Sequence, residues 1–169
     1  SDALARAAGT ERVVRAMPNT PALIGKGIAG LYARPAVGSD DRAAVERVLG
    51  PTGSLLWFDA EADLDAVTAL SGSGPAYVFY LIEAMVEAGT QMGLSAAASR
   101  RLAQETIAGA AQLAMQSEES PATLRERVTS KGGTTHAAIT SLDAADVKAA
   151  FVRALQAART RAEELGRDG

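Results

Sequence analysis

The residues with the clearest chemical potential are Gly132, Gly133, Thr134 and Thr135, set between two stretches of helical periodicity. Pro121, Leu124 and Val128 mark the first stretch, and Ala138, Ile139 and Leu142 the second. Glycines remove the Cβ that keeps a ligand from the backbone. The threonines fall at the start of the second helix, where the first amides have no partner inside the helix. Free N–H groups at the positive end of a helix make a small anion site, and a carboxylate fits it as well as a phosphate. The structural alternative is a Gly-Gly break between helices, with Thr134 and Thr135 as hydroxyl caps.

Other chemistries are poorly served. His136 is the only histidine and follows Thr135 in the first helical turn, where a surface or supporting position is expected rather than a catalytic one. There is no cysteine, which excludes disulfides, thiolate nucleophiles and Cys-based zinc sites. Ser71-Gly-Ser-Gly74 lacks a partnering base for a hydrolytic triad and is expected to be an interdomain hinge. Glu83 and Glu87 stand one helical turn apart, but the carboxylates as a whole are scattered along charged helix faces and no metal site is expected. Glu118 and Glu119, just before Pro121, have the character of loop charges. Met17-Pro18-Asn19-Thr20-Pro21 is a strand exit stopped by two prolines; at the C-terminal edge of a parallel sheet such a loop is also where a cofactor binds.

The elements that must position these groups fall into two halves. Ser1 is placed to cap a short helix ending at Gly9, followed by strands over 12–17, 28–33 and 54–59. A helix is expected over 39–49, with Val45, Val48 and Leu49 on its apolar face and Gly50-Pro51 ending it. Alternating strands and helices belong to the second half of an α/β domain, and no Gly-x-Gly-x-x-Gly phosphate turn precedes them here. From about Glu61 the pattern is helical alone. A short helix spans 63–70, and Pro75 opens a helix to about Met92 that is apolar around most of its circumference. Such a helix is expected to be buried in a bundle or an oligomer. Ser95 caps the next, to about Gln116, and a last helix is expected from about Ala144 to Leu165.

Composition narrows the partners. The 169 residues are 47% apolar and only 4% aromatic, with a net charge of −3 and no basic run, so a nucleic-acid surface is not expected. The uncharged stretch over 66–82 is interrupted by Ser-Gly-Ser-Gly-Pro and does not resemble a membrane span. The chain opens at Ser1 without an initiator methionine, part-way into a helix, which suggests a fragment of a longer protein.

Three stretches, in order, resemble the pyrroline-5-carboxylate reductases, the enzymes that make proline. They are Met17-Pro18-Asn19-Thr20-Pro21, then Ala66-Val67-Thr68-Ala69-Leu70-Ser71-Gly72-Ser73-Gly74-Pro75-Ala76-Tyr77, and finally Pro121 through Leu124, Val128, Thr129, Ser130, Gly132, Gly133, Thr135, Ala138, Ile139 and Leu142 to Asp143. Lys131 departs from the pattern, since many relatives carry proline there. The resemblance implies the second half of a Rossmann-like dinucleotide-binding domain over 1–62 and a helical dimerisation and substrate-binding domain over 63–169. It implies hydride transfer from NADPH or NADH to C5 of 1-pyrroline-5-carboxylate, giving L-proline, in a cytoplasmic homodimer or an assembly of such dimers. A cyclic iminium is already electrophilic, so the protein has mainly to orient it and fix its carboxylate. The implied substrate-binding residues are Glu118, Val128, Ser130, Gly132, Gly133, Thr134 and Thr135. The backbone amides of Gly133, Thr134 and Thr135 hold the carboxylate on this reading, and the Thr135 hydroxyl contacts the ring nitrogen as the catalytic group. The implied cofactor contacts are Met17, Pro18, Asn19 and Thr20. Two alternatives stay open: a non-catalytic dimerisation module, and a related helical-domain dehydrogenase acting on another small acid.

Overall fold

The structure is a computed structural model that describes residues 1–168. The chain divides into two compact units, one formed by Ser1–Tyr77 with the chain from Arg153 onward, the other by Val78–Val152.

The first unit is built on a three-stranded sheet. Helix α1 (Asp2–Ala8) ends at Gly9, whose φ of 64° gives the left-handed stop that glycine supplies without penalty. Strands β1 (Val14–Met17), β2 (Gly27–Ala33) and β3 (Gly53–Phe58) follow in the sheet order β1-β2-β3. β2 and β3 are parallel, joined through helix α2 (Ser39–Leu49), as the alternating pattern implies. β1, however, runs antiparallel to β2, with Val14 opposite Ala33 and Met17 opposite Gly30. The short Thr20–Ile24 turn reverses the chain too quickly for a parallel crossover, which needs a dozen or more residues. β1 therefore pairs as a hairpin with β2, and Met17 at its end lies opposite Gly30.

Helix α2 is held by its first turn. The Asp41 carboxylate accepts from the Gly38 N–H at 3.2 Å and from Arg12 Nε at 2.9 Å. The Arg12 hydrogen bond and the Gly38 amide hold Asp41 below the usual carboxylate range. Farther along, the Arg42 guanidinium lies 4.6 Å from the centre of the Trp57 ring, and Trp57 Nε1 donates to Glu46 at 2.7 Å. Val45 and Leu49 are half-buried, but Val48 is 73% exposed and does not belong to the packed face.

Helix α3 (Asp63–Val67) covers the Gly30 side of β2. A Cβ on Gly30 would lie 2.8 Å from Val67 and 3.2 Å from Leu64, so glycine permits this close approach. Leu31 and Leu64 are fully buried. The expected helix over 63–70 changes pitch: after Val67 it widens into a π-helical turn over Thr68–Gly72, closed by the Ser73 N–H donating to the Thr68 carbonyl at 2.9 Å. Of the Ser-Gly-Ser-Gly stretch, Ser71 and Gly72 lie in this turn, Ser73 is a bend and Gly74 begins the next helix. Gly72 sits against Met17, where a Cβ would meet the methionine Cε at 2.5 Å.

Helix α4 (Gly74–Gln91) starts with Pro75 in its first turn, where a missing N–H costs nothing. Within the second unit it turns at Gly93, φ 95°, into α5 (Ala96–Gln116), whose cap is the Ser95 hydroxyl accepting from the Ala98 N–H at 3.2 Å. The two helices meet where Gly89 faces the buried Ser99. Apart from Gly89, no residue of α4 is fully buried, so the expectation of a buried helix is not met within one chain. Helix α6 (Pro121–Arg127), capped by Ser120, and α7 (Thr134–Ala144) flank the Gly-Gly turn. α7 continues through Ala144, so the last helix begins later than expected, as α8 (Val147–Asp168). The break lies at Asp146, which takes a φ of 53°. No glycine or proline marks it in sequence; aspartate is one of the few other residues that tolerate this conformation.

Candidate functional site

The second-unit candidate is the turn between α6 and α7. As α6 ends, the Thr129 hydroxyl donates to the Arg125 carbonyl at 2.6 Å and its amide to Glu126 at 3.0 Å. The chain then closes a four-residue turn, with the Gly133 N–H donating to the Ser130 carbonyl at 3.0 Å. Gly132, third in the turn, has φ 78°. A closing hydrogen bond with glycine in the left-handed region at the third position is the pattern of a type II turn. Lys131 therefore occupies the second position, the one that proline suits best.

The two glycines have different reasons to be there. Gly132 supplies the left-handed backbone. Gly133 has an ordinary φ of −81°, but a Cβ on it would lie 2.7 Å from Ser130 Oγ and 3.2 Å from its carbonyl. Gly133 is the N-cap of α7, its carbonyl accepting from Ala137 N–H at 3.1 Å. Two sequence expectations are corrected here. Thr134 and Thr135 are not caps, because both already lie inside the helix and no side chain caps its start. The Gly133 amide is also unavailable to an anion, since the turn uses it.

What remains free is the amide set of Thr134, Thr135 and His136, for which no carbonyl acceptor is found among the described residues. The histidine contributes a backbone donor that attention to its imidazole misses; counting three amides forward from the N-cap finds it. The Thr135 side chain is half-buried, whereas Thr134 and His136 are exposed. Three adjacent N–H groups at the positive end of an 11-residue helix, with one hydroxyl among them, suit a small carboxylate and a neighbouring polar atom. Ser130 is exposed in the turn and Val128 is 65% exposed at the end of α6. Glu118 is exposed in the segment before α6, next to Glu119, which pairs with Arg127. Among the described residues no group of three His, Cys, Asp or Glu side chains has the arrangement to hold a metal ion.

The first-unit candidate is the exit from β1. Pro18 and Thr20 are exposed, while Met17 and Asn19 are half-buried. The Asn19 side-chain oxygen accepts from the Ile28 N–H at 3.1 Å, tying the loop to the start of β2. That bond fixes the asparagine by its carbonyl end and leaves its amide nitrogen without a partner among the described residues. Met17 is held by Gly72 of the π-helical turn.

These arrangements lie within a recognisable sequence and fold. Residues 61–165 match the family model described as pyrroline-5-carboxylate reductase dimerisation. A pyrroline-5-carboxylate reductase of Pseudomonas aeruginosa is 51% identical over 153 residues, covering 90% of this chain and 56% of that protein. One from Arabidopsis thaliana is 39% identical, covering 93% of this chain and 56% of the relative. Among solved structures, a pyrroline-5-carboxylate reductase from Coxiella burnetii superimposes with a TM-score of 0.91 at 40% identity, over 96% of this chain and 60% of that one. A pyrroline carboxylate reductase from Plasmodium falciparum with NADP bound gives 0.87 at 33%, over 92% and 61%. The chain thus spans a little over half the length of the relatives it matches. Its small sheet with helices is followed by an all-helical region over which the family model matches, and the chain belongs to the pyrroline-5-carboxylate reductase dimerisation family.

Proposed function

We propose that this chain is the C-terminal part of a proline-forming reductase, an oxidoreductase that reduces 1-pyrroline-5-carboxylate to L-proline. The observation that carries the reading is the set of three unpartnered amides at the start of α7, inside the region that matches the family. Thr134, Thr135 and His136 hold the substrate carboxylate through their N–H groups. The Thr135 hydroxyl meets the ring nitrogen, directly or through a water, and keeps C5 in one orientation. Ser130, Gly132 and Gly133 give the turn its shape, Gly133 by leaving room at Ser130, and Val128 and Glu118 complete the proposed set of substrate contacts. The ring nitrogen is protonated in the reactive imine, and the product is a secondary amine, so no strong acid or base is required of the protein.

Bound NADPH or NADH supplies the hydride. The residues that would hold its nicotinamide end are Met17, Pro18, Asn19 and Thr20, whose exposed backbone and unused Asn19 amide nitrogen fit a polar ring substituent. Residues 1–62 are read as the second half of a Rossmann-like domain and 63–169 as the helical dimerisation and substrate-binding domain. β1 is an edge strand among the described residues, leaving one side open for further strands. A homodimer or an assembly of dimers in the cytoplasm completes the reading, supported by the family match and, for the compartment, by the absence of cysteine.

The test compares two proteins, the 169-residue chain alone and the same chain joined to the first half of the Pseudomonas aeruginosa relative. With 1-pyrroline-5-carboxylate and NADPH or NADH, the joined protein turns over and the chain alone does not. A dinucleotide needs the glycine turn and helix N-terminus of a first half. A joined, folded and cofactor-binding protein without turnover would overturn the reading in favour of a dimerisation module. Turnover of a different cyclic or open-chain imino acid in preference would identify the related dehydrogenase instead.

A further inference from the structure

The backbone of the first unit departs furthest from regular geometry at the π-helical turn over Thr68–Gly72. Such a turn carries one residue more than an α-helix accommodates, and turns of this kind occur frequently at functional sites. This one is held from two sides. The Ser73 N–H closes it on the Thr68 carbonyl at 2.9 Å, and the half-buried Tyr77, in the first turn of α4, donates its hydroxyl to the Ala69 carbonyl at 3.0 Å. The turn's own hydroxyls serve the same helix. Thr68 Oγ1 donates to the Leu64 carbonyl at 2.7 Å, and Ser71 Oγ to the Val67 carbonyl at 3.1 Å. With these polar groups committed to the fold, what the turn presents to the end of β1 is the bare Cα of Gly72.

Gly72 has no left-handed φ, so its backbone does not call for glycine. Space does. A Cβ there would lie 2.5 Å from Met17 Cε, whereas the next neighbour, Thr68 Cγ2, would be 3.8 Å away in ordinary contact. The methionine tip thus occupies the place of a side chain on the turn. An unbranched methionine has three rotatable bonds and adapts to many surroundings, so a seat for its tip decides where it lies. Two residues on, the Asn19 side-chain oxygen is fastened to the Ile28 N–H at 3.1 Å, and Pro18 between them has a fixed φ. The exit from β1 is therefore anchored at Met17 and again at Asn19. We infer that Gly72 is a positioning residue for the reduction: it seats Met17 on the π-helical turn and keeps the strand exit shaped for the nicotinamide end of the dinucleotide. The inference rests on the reading of Met17, Pro18, Asn19 and Thr20 as the cofactor contacts, and adds to it a residue from outside that loop which acts through Met17.

A double-mutant cycle in the joined protein tests it, with Gly72→Ala and Met17→Leu made singly and together. The new Cβ of Gly72→Ala meets the far end of a flexible side chain, so the methionine swings away and the turn stays. The melting temperature should then be unchanged, while the NADPH dissociation constant, read from nicotinamide fluorescence, rises by roughly tenfold. The KM for 1-pyrroline-5-carboxylate at saturating NADPH should not move. Leucine lacks the Cε methyl, so adding Gly72→Ala to Met17→Leu should weaken NADPH binding by less than about twofold. Unchanged NADPH binding in Gly72→Ala would overturn the inference. Equal weakening in both backgrounds would overturn it as well, by showing that the effect does not pass through Met17. A lowered melting temperature with loss of both ligands would assign Gly72 to the fold alone. Joined wild-type protein that is folded but binds neither NADPH nor NADH would remove the cofactor reading, and this inference with it.

Discussion

At the scale of single residues, the Gly-Gly turn separates roles that adjacent letters in the sequence run together. Gly132 answers a backbone requirement, Gly133 a steric one, and Thr135 neither. Because Thr135 is not a cap, Thr135→Ala should cost stability by less than about 0.5 kcal/mol. In the joined enzyme the same change should slow turnover by roughly 30- to 1000-fold, equivalent to about 2–4 kcal/mol for a lost oriented hydrogen bond near the reacting carbon. Binding of a proline-like inhibitor should persist, since the amides remain. Steady-state kinetics with inhibitor titration measures both, and near-normal turnover would remove Thr135 from the chemistry. Lys131 allows a second test. At the second position of the turn, Lys131→Pro should stabilise the protein by about 0.4–1 kcal/mol, by restricting the unfolded chain. Denaturant unfolding of the two proteins gives the difference, and a loss of stability would contradict the turn assignment.

At the scale of elements, the contact between α4 and α5 rests on an unusual pair. Ser99 is buried and its hydroxyl finds no hydrogen-bond partner, while Gly89 leaves the space the serine occupies. A Cβ on Gly89 would come within 2.5 Å of Ser99 Oγ and 2.8 Å of its Cβ. Ser99→Ala should therefore be neutral or stabilising by up to about 1 kcal/mol, because it removes a buried unsatisfied group. Gly89→Ala, despite its better helix propensity, should destabilise by about 1–3 kcal/mol through overpacking. Thermal unfolding of the two variants checks the opposite signs. A destabilising Ser99→Ala would mean that the hydroxyl has a partner, such as a bound water. The π-helical turn at Thr68–Gly72 is the other element that local propensity does not foretell: it sets Gly72 against Met17, joining the second resemblance stretch to the first.

At the scale of the whole molecule, the apolar face of α4 governs behaviour. Exposed aromatic and aliphatic side chains on one helix favour association in water. If folding and association are coupled, the unfolding midpoint rises with protein concentration. Differential scanning across roughly 1 to 100 µM should show that rise, and a concentration-independent midpoint would mean that the chain is stable as a monomer. The family match over 61–165 agrees with a role in dimerisation for this half of the chain.

The sequence by itself determined the element types and most of their ends. Gly9, Ser95, Ser120 with Pro121, and Gly50-Pro51 terminate or cap helices through local chemistry that acts within a few residues. It also marked the turn before α7, because a glycine pair before a helix start is a local signal. Tertiary structure decided what depends on hydrogen-bond partners and neighbours. The direction of β1 follows from its pairing with β2, and the use of the Gly133 amide from closure of the turn on Ser130. The break at Asp146 carries no sequence mark because aspartate enters the left-handed region only where its surroundings hold it there. The exposure of α4 was likewise invisible in its letters: an apolar helix states that it must be covered, and only the packing shows that its own unit does not cover it.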